Sequence, residues 1–175
     1  MDRLWAGWRM AYIKRATSKR GKREGCLFCG KARARPNARN LVLATGPEAV
    51  VMLNLYPYNV GHVMVAPRRH VRSFGDLREG EVVELNAWLA RVERALRRVY
   101  RPHGYNVGLN LGRAAGAGVL GHLHWHIVPR WNGDTNYMPV TGGTKVLPES
   151  LDRTYRRLRV ALEAAEAPRR ARRGR

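Results

Sequence analysis

The segment HLHWHIV, residues 122–128, places His122, His124 and His126 at alternate positions of an apolar run. Three of the chain's six histidines therefore fall within five residues. Alternation is the mark of a β-strand, whose successive side chains point to opposite faces. The three imidazoles would then share one face at intervals of about 6.5–7 Å, leaving Leu123, Trp125 and Ile127 for a core. Three uses of such a row are open: a solvated polar face, a zinc site, or nucleophilic catalysis at phosphorus by a neutral imidazole with orienting neighbours. The surroundings favour the third. No pair of carboxylates stands nearby for general acid–base work, and the upstream loop GRAAGAG has small residues that let backbone N–H groups approach phosphate oxygens.

A second constellation is Cys26-Leu-Phe-Cys29. These two cysteines, the chain's full complement, are too close in sequence to staple a fold. Their spacing suits half of a metal site, a redox pair, or a reduced and half-buried pair of thiols.

The elements that must position these groups can be read from periodicity. LVLA (41–44) and AVVMLNLY (49–56) are β-rich and flank the turn TGPE. GHVMVAP (61–67) is a further strand, entered through the turn-prone PYNVG. From Glu79 to about Arg101, Leu85, Trp88, Leu89, Val92, Leu96 and Val99 recur at three- and four-residue steps, which predicts a long amphipathic helix packed on a sheet. YNVGLNLG (105–112) returns to strand character and leads through a small-residue loop into the histidines. Ser150 is a predicted N-cap for a last helix with Leu151, Tyr155, Leu158 and Leu162 on its inner stripe. Strands, a long helix, strands and a final helix make an α+β layer fold.

At 175 residues the chain suits one domain able to bury its own core. It has no apolar run long enough to span a membrane and no signal-peptide pattern at its start, so a cytoplasmic protein is expected. The net charge of +20 draws in phosphate-rich partners: nucleotides, nucleic acid or an anionic surface. Much of that charge sits in KRATSKRGKR near the start and APRRARRGR at the close, which read as mobile arms able to touch nucleic acid non-specifically. The expected organisation is a basic arm over 1–20, a domain over 21–165 and a disordered basic tail over 166–175. Trp5 and Trp8 read as packing anchors of the arm.

HLHWHIV resembles the His-φ-His-φ-His-φ-φ motif (φ apolar) of the histidine triad superfamily of nucleotide hydrolases and transferases. LWAGWRMAYI, CLFC, LNLYPYNVGHVMVAPRRH and HLHWHIVPRWNGDTNYMP extend the resemblance over roughly residues 4–165, to a bacterial branch similar to fragile-histidine-triad hydrolases and diadenosine tetraphosphate phosphorylases. The resemblance implies an antiparallel sheet with one long helix and a C-terminal helix, paired through its sheets as a homodimer. It implies that His124 is the nucleophile, that His126 hydrogen-bonds the α-phosphate or bridging oxygen, and that His62 supports the triad. Asn54 matches a ribose-holding position, and Asn110, Gly116 and Gly118 fall in the phosphate-holding segment. One departure is clear: Gly116-Ala117-Gly118-Val119 offers no polar side chain where relatives often carry one, so backbone amides must do that work.

Some histidine triad proteins complete the cysteine pair with two histidines, which correspond here to His70 and His122. The implied site is a closed, structural Cys₂His₂ zinc centre at Cys26, Cys29, His70 and His122. The implied reaction is cleavage of a dinucleoside polyphosphate, diadenosine tetraphosphate above all, through a nucleotidyl-histidine, with inorganic phosphate as the favoured acceptor. Arg130 would pair with that phosphate and Trp131 would exclude water. The alternatives are a hydrolase of dinucleoside polyphosphates or nucleoside phosphoramidates that uses water, a slow nucleotide sensor, and a nucleic-acid-binding module carried by the basic arms.

Overall fold

A computed structural model of the chain describes residues 25–134 and 147–166. The arm over 1–20 with Trp5 and Trp8, and the tail beyond Glu166, lie outside the described residues. Five strands form the centre: β1 (Val42–Thr45), β2 (Ala49–Leu53), β3 (Val63–Pro67), β4 (Gly104–Leu109) and β5 (Trp125–Arg130). Their order is β1-β2-β3-β5-β4, with every neighbouring pair antiparallel. Helix α1 (Leu27–Arg33) precedes the sheet, α2 (Glu79–Tyr100) crosses from β3 to β4, and α3 (Leu151–Glu166) closes the described chain. None of the described helices is long and apolar enough to cross a membrane.

The alternation of the strands sorts their side chains between two unequal layers. Ala49, Val51 and Leu53 of β2, Val63 and Val65 of β3 and Ile127 of β5 face α2 and α3, where they meet Leu85, Trp88, Val92, Leu96, Leu158 and Leu162. Val50 and Met52 of β2 and Met64 and Ala66 of β3 face the other way, into a smaller cluster with Val42 and with Phe28 and Ala32 of α1. Both faces of β2 and β3 are therefore covered, and every residue of these two strands is buried. The predicted stripe of α2 is the buried one, with Leu89 and Val99 at its margin. Ser150 caps α3 as expected, its Oγ accepting from the Arg153 N–H at 3.3 Å.

Two close features fix the loops around the histidines. Gly61 has φ +75°, and a Cβ there would lie 2.9 Å from Leu96 Cδ2 and 3.3 Å from both Pro129 and Tyr100, so only glycine fits. Glu81, in the first turn of α2, is wholly buried; it binds Arg69 at 2.6–2.8 Å and accepts the Arg78 N–H at 2.8 Å. Arg69, raised above the usual arginine range chiefly by that hydrogen bond, is thereby anchored beside His70 in the loop leaving β3.

The structure departs from the sequence reading at two points. Residues 27–33 form a helix that periodicity did not announce, because a seven-residue element buries just Phe28 and Ala32. The histidine strand starts at Trp125 rather than His122. His126 pairs with Met64 and Gly108, but His122 and His124 precede the ladder, and Leu123 N–H donates instead to Val71 carbonyl at 2.7 Å.

Candidate functional site

His62, His124 and His126 converge from the loop before β3 and from the entry into β5, on the face away from α2 and α3. Their hydrogen bonds fix their tautomers, because a backbone N–H can only donate and a carbonyl can only accept. His62 Nδ1 accepts the Tyr58 N–H at 3.0 Å, so its proton sits on Nε2, which donates to His126 Nδ1 at 2.9 Å. His126 must then carry its own proton on Nε2. His124 Nδ1 donates to the His122 carbonyl at 2.8 Å, which leaves the lone pair on His124 Nε2. One ring thus offers a lone pair and its neighbour an N–H, with their centroids 4.9 Å apart.

These assignments require neutral rings, and burial supplies that. It pushes His62 down to about 3 and His126 to about 4, each helped by repulsion from neighbouring imidazoles. Burial also lowers His124, while the His122 carbonyl opposes that shift and preserves basicity at the free nitrogen. Tyr58 packs tilted against His62 at 4.7 Å, and Phe28 stacks on His124 at 4.6 Å with ring planes 28° apart. Neither aromatic was singled out from the sequence. Phe28 lay between two cysteines that drew attention to metal chemistry, and Tyr58 acts through its backbone as well as its ring.

Two cavities meet at His126. One, of about 190 Å³, has apolar walls from Phe28, Met52 and Met64 and takes in Asn54, Gly118 and His124. The other, of about 350 Å³, is lined by Tyr58, Asn59, Asn106, Asn110 and Arg130. Asn54 therefore lines the same cavity as His124, with its Nδ2 3.4 Å from His62 Nδ1 and its Oδ1 already accepting the Tyr56 N–H at 2.9 Å. Asn110 lines the larger cavity together with His126. Gly116 lines neither cavity; its N–H donates to Arg113 carbonyl at 3.0 Å and its φ of +82° marks a turn residue. Arg130 grips the Asp134 carboxylate at 2.6 and 2.9 Å and donates to Asn106 Oδ1 at 2.8 Å. Trp131 meets Tyr100 edge-on at 6.5 Å and lines neither cavity.

Cys26, Cys29, His70 and His122 bring their donor atoms within 4.8 Å of one another. His122 Nε2 donates to Pro67 carbonyl at 2.8 Å, so its Nδ1 lone pair is turned toward Cys26 Sγ at 3.2 Å and Cys29 Sγ at 3.6 Å. His70 Nδ1 lies 3.3 Å from Cys29 Sγ. A tetrahedral zinc with ordinary Zn–S and Zn–N bonds separates its ligands by about 3.5 Å, so this quartet fits such an ion. Burial and the adjacent Cys26 push the Cys29 thiol up, a shift that a bound dication reverses. The carbonyl on Nε2 is the orienting contact typical of ligating histidines.

The HIT domain family matches residues 35–133. An AP-4-A phosphorylase of Mycobacterium tuberculosis is 43% identical over 171 residues, which cover 96% of this chain and 87% of the relative. An asymmetrical bis(5'-nucleosyl)-tetraphosphatase of Schizosaccharomyces pombe is 34% identical over 86 residues, 49% of this chain and 47% of its own length. Among solved structures, a Zn-bound histidine triad family protein from Mycobacterium smegmatis superimposes with a TM-score of 0.63 at 26% identity, covering 80% of this chain and 94% of that one.

Proposed function

The chain belongs to the HIT family, and on that premise we propose that it is a nucleotidyl-transferring enzyme acting on dinucleoside polyphosphates, with diadenosine tetraphosphate as preferred substrate. The observation that carries this reading is the tautomer chain, which leaves a lone pair on His124 Nε2 beside an N–H on His126. His124 Nε2 attacks the α-phosphorus, the bond from phosphorus to the bridging oxygen breaks, and ATP leaves with that electron pair. His126 Nε2–H stabilises the charge gathering on the phosphate oxygens. The imidazolium of the adduct keeps its Nδ1 proton on the His122 carbonyl. His62 holds His126 in the donating tautomer. Asn54 and the apolar walls beside His124 receive the nucleoside, while Asn110 and Gly118 belong to the phosphate side.

Inorganic phosphate then attacks the adenylyl group, releasing ADP and restoring the free imidazole. The similarity to the Mycobacterium tuberculosis enzyme supports phosphate as acceptor. Water is the second reading. It is favoured by Arg130, whose guanidinium is already engaged by Asp134 and Asn106. Product analysis separates the two. Diadenosine tetraphosphate with phosphate should yield ADP and ATP, faster than AMP and ATP appear without it; an unchanged rate and product ratio would make the enzyme a hydrolase.

The proposal includes zinc at Cys26, Cys29, His70 and His122, a charged ion that would hold the loops together through both thiolates. It also includes a cytoplasmic homodimer joined at the sheet edge, where β4 exposes Val107. The basic arms are assigned salt-sensitive, non-specific nucleic-acid contacts.

A further inference from the structure

His122 serves two sites at once. Its Nδ1 faces Cys26 and Cys29, whereas its backbone carbonyl takes the Nδ1 proton of His124 at 2.8 Å. Among the described residues that is the one hydrogen bond made by the His124 ring. Phe28 couples the same two sites a second time. It lies between the two cysteines in sequence, is fully buried, stacks on His124 at 4.6 Å and approaches the His122 ring at 5.2 Å. The His124 ring is thus held at one edge and on one face by residues within two positions of a metal-ligating side chain. Without that carbonyl the ring can turn over, or shift its proton to Nε2. Either event withdraws the lone pair from the cavity.

We propose that the Cys26–Cys29–His70–His122 quartet is a positioning device for the nucleophile, its ion fixing the His122 carbonyl and the Phe28 ring so that occupancy governs the reactivity of His124 Nε2 as well as the stability of the fold. This rests on the reading of His124 as nucleophile. The ion takes no part in bond making. It keeps one tautomer and one ring orientation ready for attack, and losing it lowers the rate even where substrate saturates the site.

The test uses full-length protein with ¹⁵N-labelled histidine, either loaded with zinc or stripped by a chelator. Two quantities are read: the ring ¹⁵N spectrum of His124, and the single-turnover rate of nucleotidyl-His124 formation at saturating diadenosine tetraphosphate. Zinc-loaded protein should show one Nδ1–H tautomer. Stripping should give a mixture and slow adduct formation by about 10–100-fold, the range expected from a small misplacement of a reacting group, and added zinc should restore both. His70→Ala, at the exposed corner of the quartet, should show the same paired changes at limiting zinc and serves if the stripped protein unfolds. An unchanged spectrum and rate, with just a lower melting temperature, would overturn the proposal. A zinc-dependent tautomer together with an adduct trapped on another residue would uphold the positioning link and sink the nucleophile reading.

Discussion

One face of the sheet meets α2 and α3 through Val51, Leu53, Val63, Val65 and Ile127, a broad layer of aliphatic side chains. The opposite face meets a helix of seven residues and carries His62, His122, His124 and His126 against a thin cluster of Met52, Met64 and Phe28. The first layer gains its stability from area removed from water, a non-directional force that tolerates small shifts. The second is organised by directional contacts, each specifying which atom holds a proton. Substitutions on the helix side should therefore register as stability, and substitutions on the histidine side as chemistry.

The strongest way to break that division is at the nucleophile. His124→Ala should lower turnover by roughly 10⁴-fold or more while nucleotide binding survives, because the covalent route is lost and the cavity walls remain. Rapid-quench kinetics beside calorimetric binding of AMP would check it, and an adduct forming on another residue would sink the assignment. The helix side should give the opposite pattern. Leu158→Ala, at a site 1% exposed, should cost about 3 kcal/mol in denaturant unfolding and leave kcat unchanged at temperatures where the protein stays folded. A matching fall in kcat would mean that the two layers are not separable.

Acid sharpens the comparison with a smaller effect. His62 and His126 are held at about 3 and about 4, below the ordinary 6.5, so between those values the unfolded chain binds protons that the folded chain refuses. They add nothing to the pH dependence above about 6.5, and stability should fall as pH drops from there toward 4. Unfolding free energies measured across that window should slope accordingly, and His62→Gln should flatten the slope. An equal slope in the variant would place the titrating groups elsewhere.

The helix side was the more legible of the two in sequence. Leu85, Trp88, Val92 and Leu96 follow the helical period because one continuous surface buries them, and a repeating force leaves a repeating pattern. On the histidine side, residue types were legible but their connections were not. Cys26, Cys29, His70 and His122 were brought together by resemblance, and the distances between them agree. The bond from Tyr58 N–H to His62, which sets the proton order of His62 and His126, involves a backbone group that every sequence has, as does the His122 carbonyl that sets His124. The displaced start of β5 has a similar cause. Pairing ends at Trp125, opposite Leu109 at the end of β4 and Val65 of β3, although β3 runs on to Pro67, and no local property of His122 or Leu123 encodes that. Glu81 was missed because Arg69 stands twelve residues earlier, with nothing periodic to join them.

Gly61 is where the two layers touch. Its backbone leads directly into His62, and the space a side chain would need is already filled by Leu96 and Tyr100 of α2 and by Pro129 of β5. Its left-handed φ closes the remaining escape, since an alanine could not swing aside without leaving that conformation. Mutational drift is therefore blocked at this position from two independent directions, shape and backbone handedness. Shortening Leu96 would relieve the tightest contact, at 2.9 Å, but no change in a neighbour relieves the left-handed φ. The division of labour between the layers leaves each free to evolve on its own, and it stops at a single hydrogen atom.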